Sequence, residues 1–232
     1  AVLDIAEMAA DGQGVAVMEA AVTLRPAGDR ASRLAIAPYP AELEAPWTPA
    51  GGPPLLIRPI RPEDAEAHGA FFARLSPEDV RYRFFTAVRE LSADMMVRLT
   101  QVDYDREMAF VAVRPPQAGD AEGGDTVGVA RLVCEADCRS AEFAVIVQPD
   151  MKGRGLASHL MRRLFDWARR RGIAEIVGQV LADNAPMLAF VRRLGFSVHR
   201  MPGEEDVMEV RLALNPAAGP AVTPGPGTPA RS

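Results

Sequence analysis

The run Ala141 to Ala157, AEFAVIVQPDMKGRGLA, constrains this chain more than any other stretch, because an apolar strand pattern passes through a polar turn into a glycine loop and a helix start. Gly153 and Gly155 permit left-handed backbone angles and let the main chain approach a ligand closely. The N–H groups that open the following helix have no partner inside it and carry the positive end of the helix dipole. Such a strand, loop and helix make an anion cradle, and a pyrophosphate is the guest that suits it. Spacing narrows the choice. A P-loop needs its lysine after the last glycine, followed by Ser or Thr; here Lys152 precedes Gly153, and Leu156 and Ala157 follow Gly155. A dinucleotide fingerprint needs a third glycine where Ser158 stands.

The segment resembles motif A of the GNAT superfamily of acyl-CoA-dependent N-acetyltransferases: Gln or Arg, two residues, Gly, one residue, then Gly or Ala. Lys152, Gly155 and Ala157 take those places, with Lys as a mild departure at the first. A second run, Asp183 to Phe196 (DNAPMLAFVRRLGF), resembles motif B, in which an Asn opens a helix that ends in Gly-Phe. Between them lie an amphipathic helix, about Leu156 to Arg171, and a β-branched run, Ile173 to Val180, in the order the family requires. The resemblance covers roughly Leu55 to Leu214. It implies an α/β (α+β) fold: a mixed, mostly antiparallel sheet with helices on both faces and two splayed strands that hold acyl-CoA.

Within that region Leu55 to Arg61 reads as a strand, and Pro62, Ser76-Pro77 and Ser92 each mark a helix start. Met108 to Arg114, Thr126 to Cys134 and Ala141 to Val147 read as an antiparallel meander, and Val207 to Leu214 closes the sheet. Pro38 to Pro54 is rich in Pro and Gly and reads as an interdomain linker; the loop Pro115 to Asp125 has similar character. The tail, Asn215 to Ser232, is almost wholly Pro, Gly, Ala and Thr and is expected to be disordered. The first 37 residues open without a Met on an apolar stretch, a turn at Asp11 to Gly14 and an alternating stretch to Leu24, which together predict a β-hairpin too small to stand alone. It reads as the end of something larger. It resembles the closing hairpin of the ATP-grasp region in NDP-forming acyl-CoA synthetases, although Ala6-Glu7 follows Asp4-Ile5 where that family has Asn-Pro.

A net charge of -5 gives no basic field, so nucleic acid is not an expected partner. Arg162, Arg163, Arg169, Arg170 and Arg171 read either as a solvated helix face or as a site for an acidic partner or a ligand's nucleotide end. No stretch has the length of a membrane span and no secretory signal opens the chain, so a cytoplasmic protein without a membrane partner is expected. Cys134 and Cys138 stand without partners at zinc spacing, which predicts reduced thiols and no metal. His68, His159 and His199 read as surface or packing residues.

The resemblance assigns positions to the chemistry. Acetyl-CoA would lay its pantetheine arm along the backbone of Phe143, Val145 and Val147. Its pyrophosphate would rest on the amides of Gly153, Arg154, Gly155, Leu156 and Ala157, beside Lys152 and the hydroxyl of Ser158. Asn184 is either an N-cap before Pro186 or that together with a hydrogen bond to the arm. Transfer to an amine requires a neutral nitrogen, and a lysine amine begins near pKa ~10.4, so a base is needed. Glu142 shares a strand face with Ala144 and Ile146; among apolar neighbours its pKa would rise to a useful value, and the alternative is an exposed strand-edge glutamate. The tyrosine that protonates the thiolate in many relatives is Val191 here, which leaves solvent or the substrate ammonium as the acid.

The leading expectation is an acetyl-CoA-dependent N-acetyltransferase acting on a protein lysine, by resemblance to bacterial lysine acetyltransferases fused to a synthetase-like region, with an acyl-CoA synthetase as candidate substrate. Two rivals stand beside it: an acetyl-CoA-sensing module without turnover, and a small-molecule amine acetyltransferase, for which Asp103 to Glu107 supply acidic residues.

Overall fold

The computed structural model describes residues 2–11, 14–23, 37–86, 88–115 and 124–214. The tail and most of the 115–125 connection therefore lie outside the described residues. The chain divides into two compact units, Ala1–Pro38 and Tyr39–Ser232. In the first, β1 (Val2–Asp11) and β2 (Gly14–Thr23) pair antiparallel, with register shifts around Glu7.

The second unit carries β3 (Ala45–Trp47), β4 (Leu55–Pro59), α1 (Ala65–Ala73), α2 (Pro77–Phe84), α3 (Ala93–Thr100), β5 (Glu107–Arg114), β6 (Asp125–Cys134) and β7 (Ser140–Val147). After these come α4 (Leu156–Arg171), β8 (Glu175–Leu181), α5 (Ala185–Arg193), β9 (Ser197–Met201) and β10 (Glu204–Ala213). The strands form one eight-stranded sheet in the order β3-β4-β5-β6-β7-β8-β10-β9. Every neighbouring pair is antiparallel except β7 and β8, which run parallel. This is the mixed, mostly antiparallel architecture read from the sequence.

Local chemistry sets the helix ends. Ser76 Oγ accepts from the Asp79 N–H at 3.1 Å and Ser92 Oγ from the Met95 N–H at 3.2 Å, so each serine caps its helix. Gly172, at φ 76°, stops α4. Two strands were not read from the sequence. Ala45–Trp47, inside the Pro38 to Pro54 stretch, pairs with Leu55–Ile57 at the sheet edge, where Pro46 loses no ladder bond that an inner strand would need. Trp47 stacks on His159 at 4.8 Å, so this part of the Pro-rich stretch belongs to the folded unit. The other, β9, is the opposite edge.

The core has two halves. On one face α4 buries Leu156, Leu160, Met161, Leu164 and Phe165 against β5, β6 and β7. Gly128 on β6 makes that approach possible: a Cβ there would lie 2.9 Å from Leu156 Cδ2 and 3.1 Å from Val147 Cγ1. On the other face Ile60 and Phe71 pack over Ala109, Val111, Val113 and Val129. Arg58 and Asp64 form a buried two-pronged ion pair, at 2.7 and 2.6 Å, that ties β4 to the start of α1.

Candidate active site

Strands β7 and β8 pair only from Ser140–Glu142 against Glu175–Val177 and then part. Beyond that point β8 stays with β10 and β7 with β6, so the β7 edge from Phe143 to Val147 has no partner strand on the β8 side. One side chain spans the gap where they part. The Phe143 ring lies across Gly178, where a Cβ would sit 2.8 Å from ring carbon Cδ1, and it packs on Phe196 at 5.1 Å between centroids. The opening is a cleft of about 700 Å³ that runs from Glu142 along β7 to Lys152, Gly153 and Ala157, with Asn184 and Phe190 on its α5 side.

At the cleft's far end the glycine loop has the geometry its sequence requires. Gly153 and Gly155 have φ of 75° and 85°, with open space where a Cβ would be. The first helical bond of α4 runs from the His159 N–H to the Gly155 carbonyl at 3.0 Å. Among the described residues the N–H groups of Gly153, Gly155, Leu156, Ala157 and Ser158 reach no backbone acceptor, whereas that of Arg154 reaches Met151 O at 3.4 Å. The loop thus presents a group of unpaired donors at a helix N-terminus. Lys152 is engaged: its Nζ contacts both oxygens of Asp79 on α2 at 2.6 and 2.8 Å. A second ion pair, Arg81 with Asp183, joins α2 to the loop before α5.

Asn184 is buried and caps α5, its Oδ1 accepting from the Met187 N–H at 3.1 Å. The cap reading is therefore met, and the side-chain amide remains at the cleft wall. Val191 is fully buried and does not line the cleft, while Phe190 does.

Glu142 lines the cleft where β7 and β8 part, but it is exposed. The apolar enclosure expected for it is not found: Ala144 and Ile146 share its face, yet Glu142 sits at the last paired position, where the strands separate and admit water. Its charged neighbour is Arg83 on α2, whose guanidinium burial pulls below its ordinary range and Glu142 pulls back up. Tyr82 also lines the cleft, its hydroxyl donating to Glu78 at 3.1 Å. Sequence reading missed both. Their one signal was the run Arg81-Tyr82-Arg83-Phe84 at the end of a short capped helix.

Beyond Arg83 the cleft adjoins a recess of about 30 Å³, between α1 and the β6–β7 surface. His68 and Arg131 line it. Arg131 is buried and neutralised by Glu107, with the Arg98 and Leu99 carbonyls accepting its remaining N–H groups. Burial, and then the charge of Arg131, lower the His68 pKa to about 4, so its ring is neutral at pH 7. Its Nδ1 is buried without a hydrogen-bond partner among the described residues.

A parted parallel strand pair beside a helix-capping glycine loop is what an acyl-CoA-dependent acetyltransferase uses, and the comparisons agree. The acetyltransferase (GNAT) domain model matches residues 54–197. The chain is 36% identical over 160 residues to the acetyltransferase PA5475 of Pseudomonas aeruginosa, covering 69% of this chain and 84% of that one. It is 31% identical over 140 residues to the acetyltransferase Pat of Mycolicibacterium smegmatis, covering 60% of this chain but 40% of the relative. Among solved structures, the GNAT domain of S. lividans PAT superposes with a TM-score of 0.67 at 29% identity, covering 76% of this chain and 99% of that domain. The chain belongs to the GNAT acetyltransferase family, and its enzymatic class is that of the N-acetyltransferases.

Among the described residues no group of His, Cys, Asp and Glu is arranged to hold a metal ion. No helix there is long and apolar enough to cross a membrane.

Proposed function

We propose that this protein transfers the acetyl group of acetyl-CoA to a primary amine, with Glu142 as general base. The observation that carries this reading is the single cleft that joins the unpaired β7 edge, the glycine loop and Glu142. The loop amides hold the donor's pyrophosphate, with Lys152 beside them paired to Asp79, the β7 main chain holds its arm, and the thioester is the acyl source. Glu142 takes one proton from the acceptor ammonium. The freed amine attacks the carbonyl carbon, an N–C bond forms and the C–S bond breaks. The proton released from nitrogen as the intermediate collapses is the one available to the thiolate, because Val191 supplies no acid.

For the acceptor, a protein lysine is supported by the likeness to the S. lividans PAT domain, and an acyl-CoA synthetase is the candidate protein. A small-molecule amine is favoured by one observation, the cation Arg83 beside Glu142, because a lysine side chain brings only a positive end to that wall. The test is release of CoA thiol from acetyl-CoA with lysine peptides, acyl-CoA synthetases and small amines as acceptors, read together with acetyl-lysine mass spectrometry. Tight acetyl-CoA binding without thiol release on any amine would replace the enzyme with the sensor.

A further inference from the structure

Arg83 is a cation on the cleft wall, beside Glu142, that no carboxylate holds. Among the described residues, Arg58, Arg74, Arg81, Arg114, Arg131, and Arg171 each reach a carboxylate. Arg83, half-buried on the cleft wall, reaches none; its guanidinium lies over the Phe84 ring at 5.0 Å, which satisfies no N–H. A half-buried guanidinium that faces a cleft with its N–H groups free of any carboxylate is a ready partner for an anionic group entering that cleft. Glu142 influences it through space but is not within ion-pair distance, so the two charges face the cleft side by side. Arg131 does not compete for the same anion, being already neutralised by Glu107. The adjoining recess, which Arg83 also lines, is walled by His68, whose Nδ1 is buried without a partner among the described residues.

From this arrangement we infer that the acceptor is a zwitterion of the α-amino-acid type, its amine set at Glu142 and its carboxylate on the Arg83 fork. This rests on the acetyl-transfer reading above and decides between its two acceptor classes. A carboxylate and an amine on neighbouring atoms match an Arg and a Glu that line one cleft without pairing. A planar carboxylate also takes the guanidinium's paired N–H groups, which a lysine ammonium cannot do. One carboxylate oxygen, or a water held by it, has room in the recess that His68 lines, since its volume of about 30 Å³ exceeds the roughly 10–15 Å³ that one water needs.

The experiment is binding to the CoA-loaded full chain, measured by calorimetry so that it reads without turnover. The probes are the common L-amino acids, first ranked by thermal shift. Each amino acid that binds is then compared with its carboxamide and its decarboxylated amine, alongside a lysine peptide. The wild type is expected to prefer the carboxylate form by about a hundredfold, the scale of a desolvated charge-assisted pair. Arg83→Gln should abolish that preference and leave CoA affinity unchanged; Arg83→Lys, which keeps the charge without the fork, should restore part of it. Thermal melting of both variants controls for folding. Equal binding of the acid and its amine, survival of the preference in Arg83→Gln, or binding of the lysine peptide alone would overturn the inference. If Arg83 serves only Glu142, kcat falls alike for all acceptors with KM unmoved, which also overturns it. A carboxylate preference without any thiol release would keep the inference and sink the acetyl-transfer reading instead.

Discussion

Gly178 tests whether Phe143 holds the cleft open. Its backbone lies in ordinary conformational space, so Gly178→Ala acts through sterics alone: the new Cβ would stand 2.8 Å from Phe143 Cδ1 and nearer still to Cε1. Carbon atoms rest at roughly 3.5–4.0 Å, so the ring must retreat by about 1 Å. Phe196 packs on one side at 5.1 Å, and the cleft that Phe143 lines is the open space beside the ring. Overpacking of this kind costs about 1–3 kcal/mol. For a domain of this size each kcal/mol lowers Tm by about 2–4 °C, so the expected drop is about 2–12 °C. Acetyl-CoA affinity should fall with it, because the displaced ring occupies the donor's path. Phe143→Leu alone loses packing, but the double variant should recover at least about 0.5 kcal/mol relative to the sum of the singles, since the clash is gone. The assays are thermal melts and calorimetry on all four proteins. Strict additivity, or a Gly178→Ala protein with the parent's Tm and donor affinity, would refute the account of Phe143 as the wedge.

Three further outcomes are expected. Gly155→Glu puts a carboxylate at the unpaired loop amides and should weaken acetyl-CoA by about a hundredfold or more in calorimetry, with a further cost of about 1–2 kcal/mol in stability from its φ of 85°. Glu142→Gln should slow turnover by roughly 10² to 10⁴ at pH 7 with donor affinity unchanged, and the loss should shrink towards the acceptor amine's own pKa; turnover near the parent's would remove Glu142 as the base. His68 is held neutral by burial and by the charges of Arg131 and Arg83, against Asp64, with its pKa near 4. The unfolded chain binds that proton from about pH 6.5 downward, so stability is complete above 6.5 and falls by on the order of 3 kcal/mol as pH drops to about 4. His68→Gln should flatten that slope in urea titrations across the same window.

The helix α4 was legible to the residue, Leu156 to Arg171, because its apolar face repeats regularly and Gly172 ends it. The meander was legible because three apolar runs are separated by turn residues. The edge strands were not. Ala45–Trp47 contains a proline and only three residues, and Ser197–Met201 is mostly exposed, so neither carries a buried-face pattern. The glycine loop could be read because its requirement, positive φ, is local. The exposure of Glu142 could not, since it depends on where β7 leaves β8. Tyr82 and Arg83 were hidden for the same reason: nothing in α2 states which strand it will cover.

That division between local and non-local signals also separates donor from acceptor. On the proposed reading the donor side of the cleft is main chain: an unpaired strand edge and a run of loop amides, which any side chains of suitable size can build. Kinship therefore speaks to the donor, and relatives with different acceptors can share it. The acceptor side is built of side chains on α2, an eight-residue helix too short to be stable alone. It is placed by contacts to three separate elements: Val80 buried beneath it, Asp79 on Lys152 of the loop, and Arg81 on Asp183 before α5. One partner or both of each pair is exposed to solvent, so their value lies in orientation rather than in stability. What they orient is the far end of the helix, Tyr82 and Arg83, towards Glu142. On the proposed reading the choice of acceptor is thus carried by residues that no motif of the family specifies, with Arg83 foremost among them.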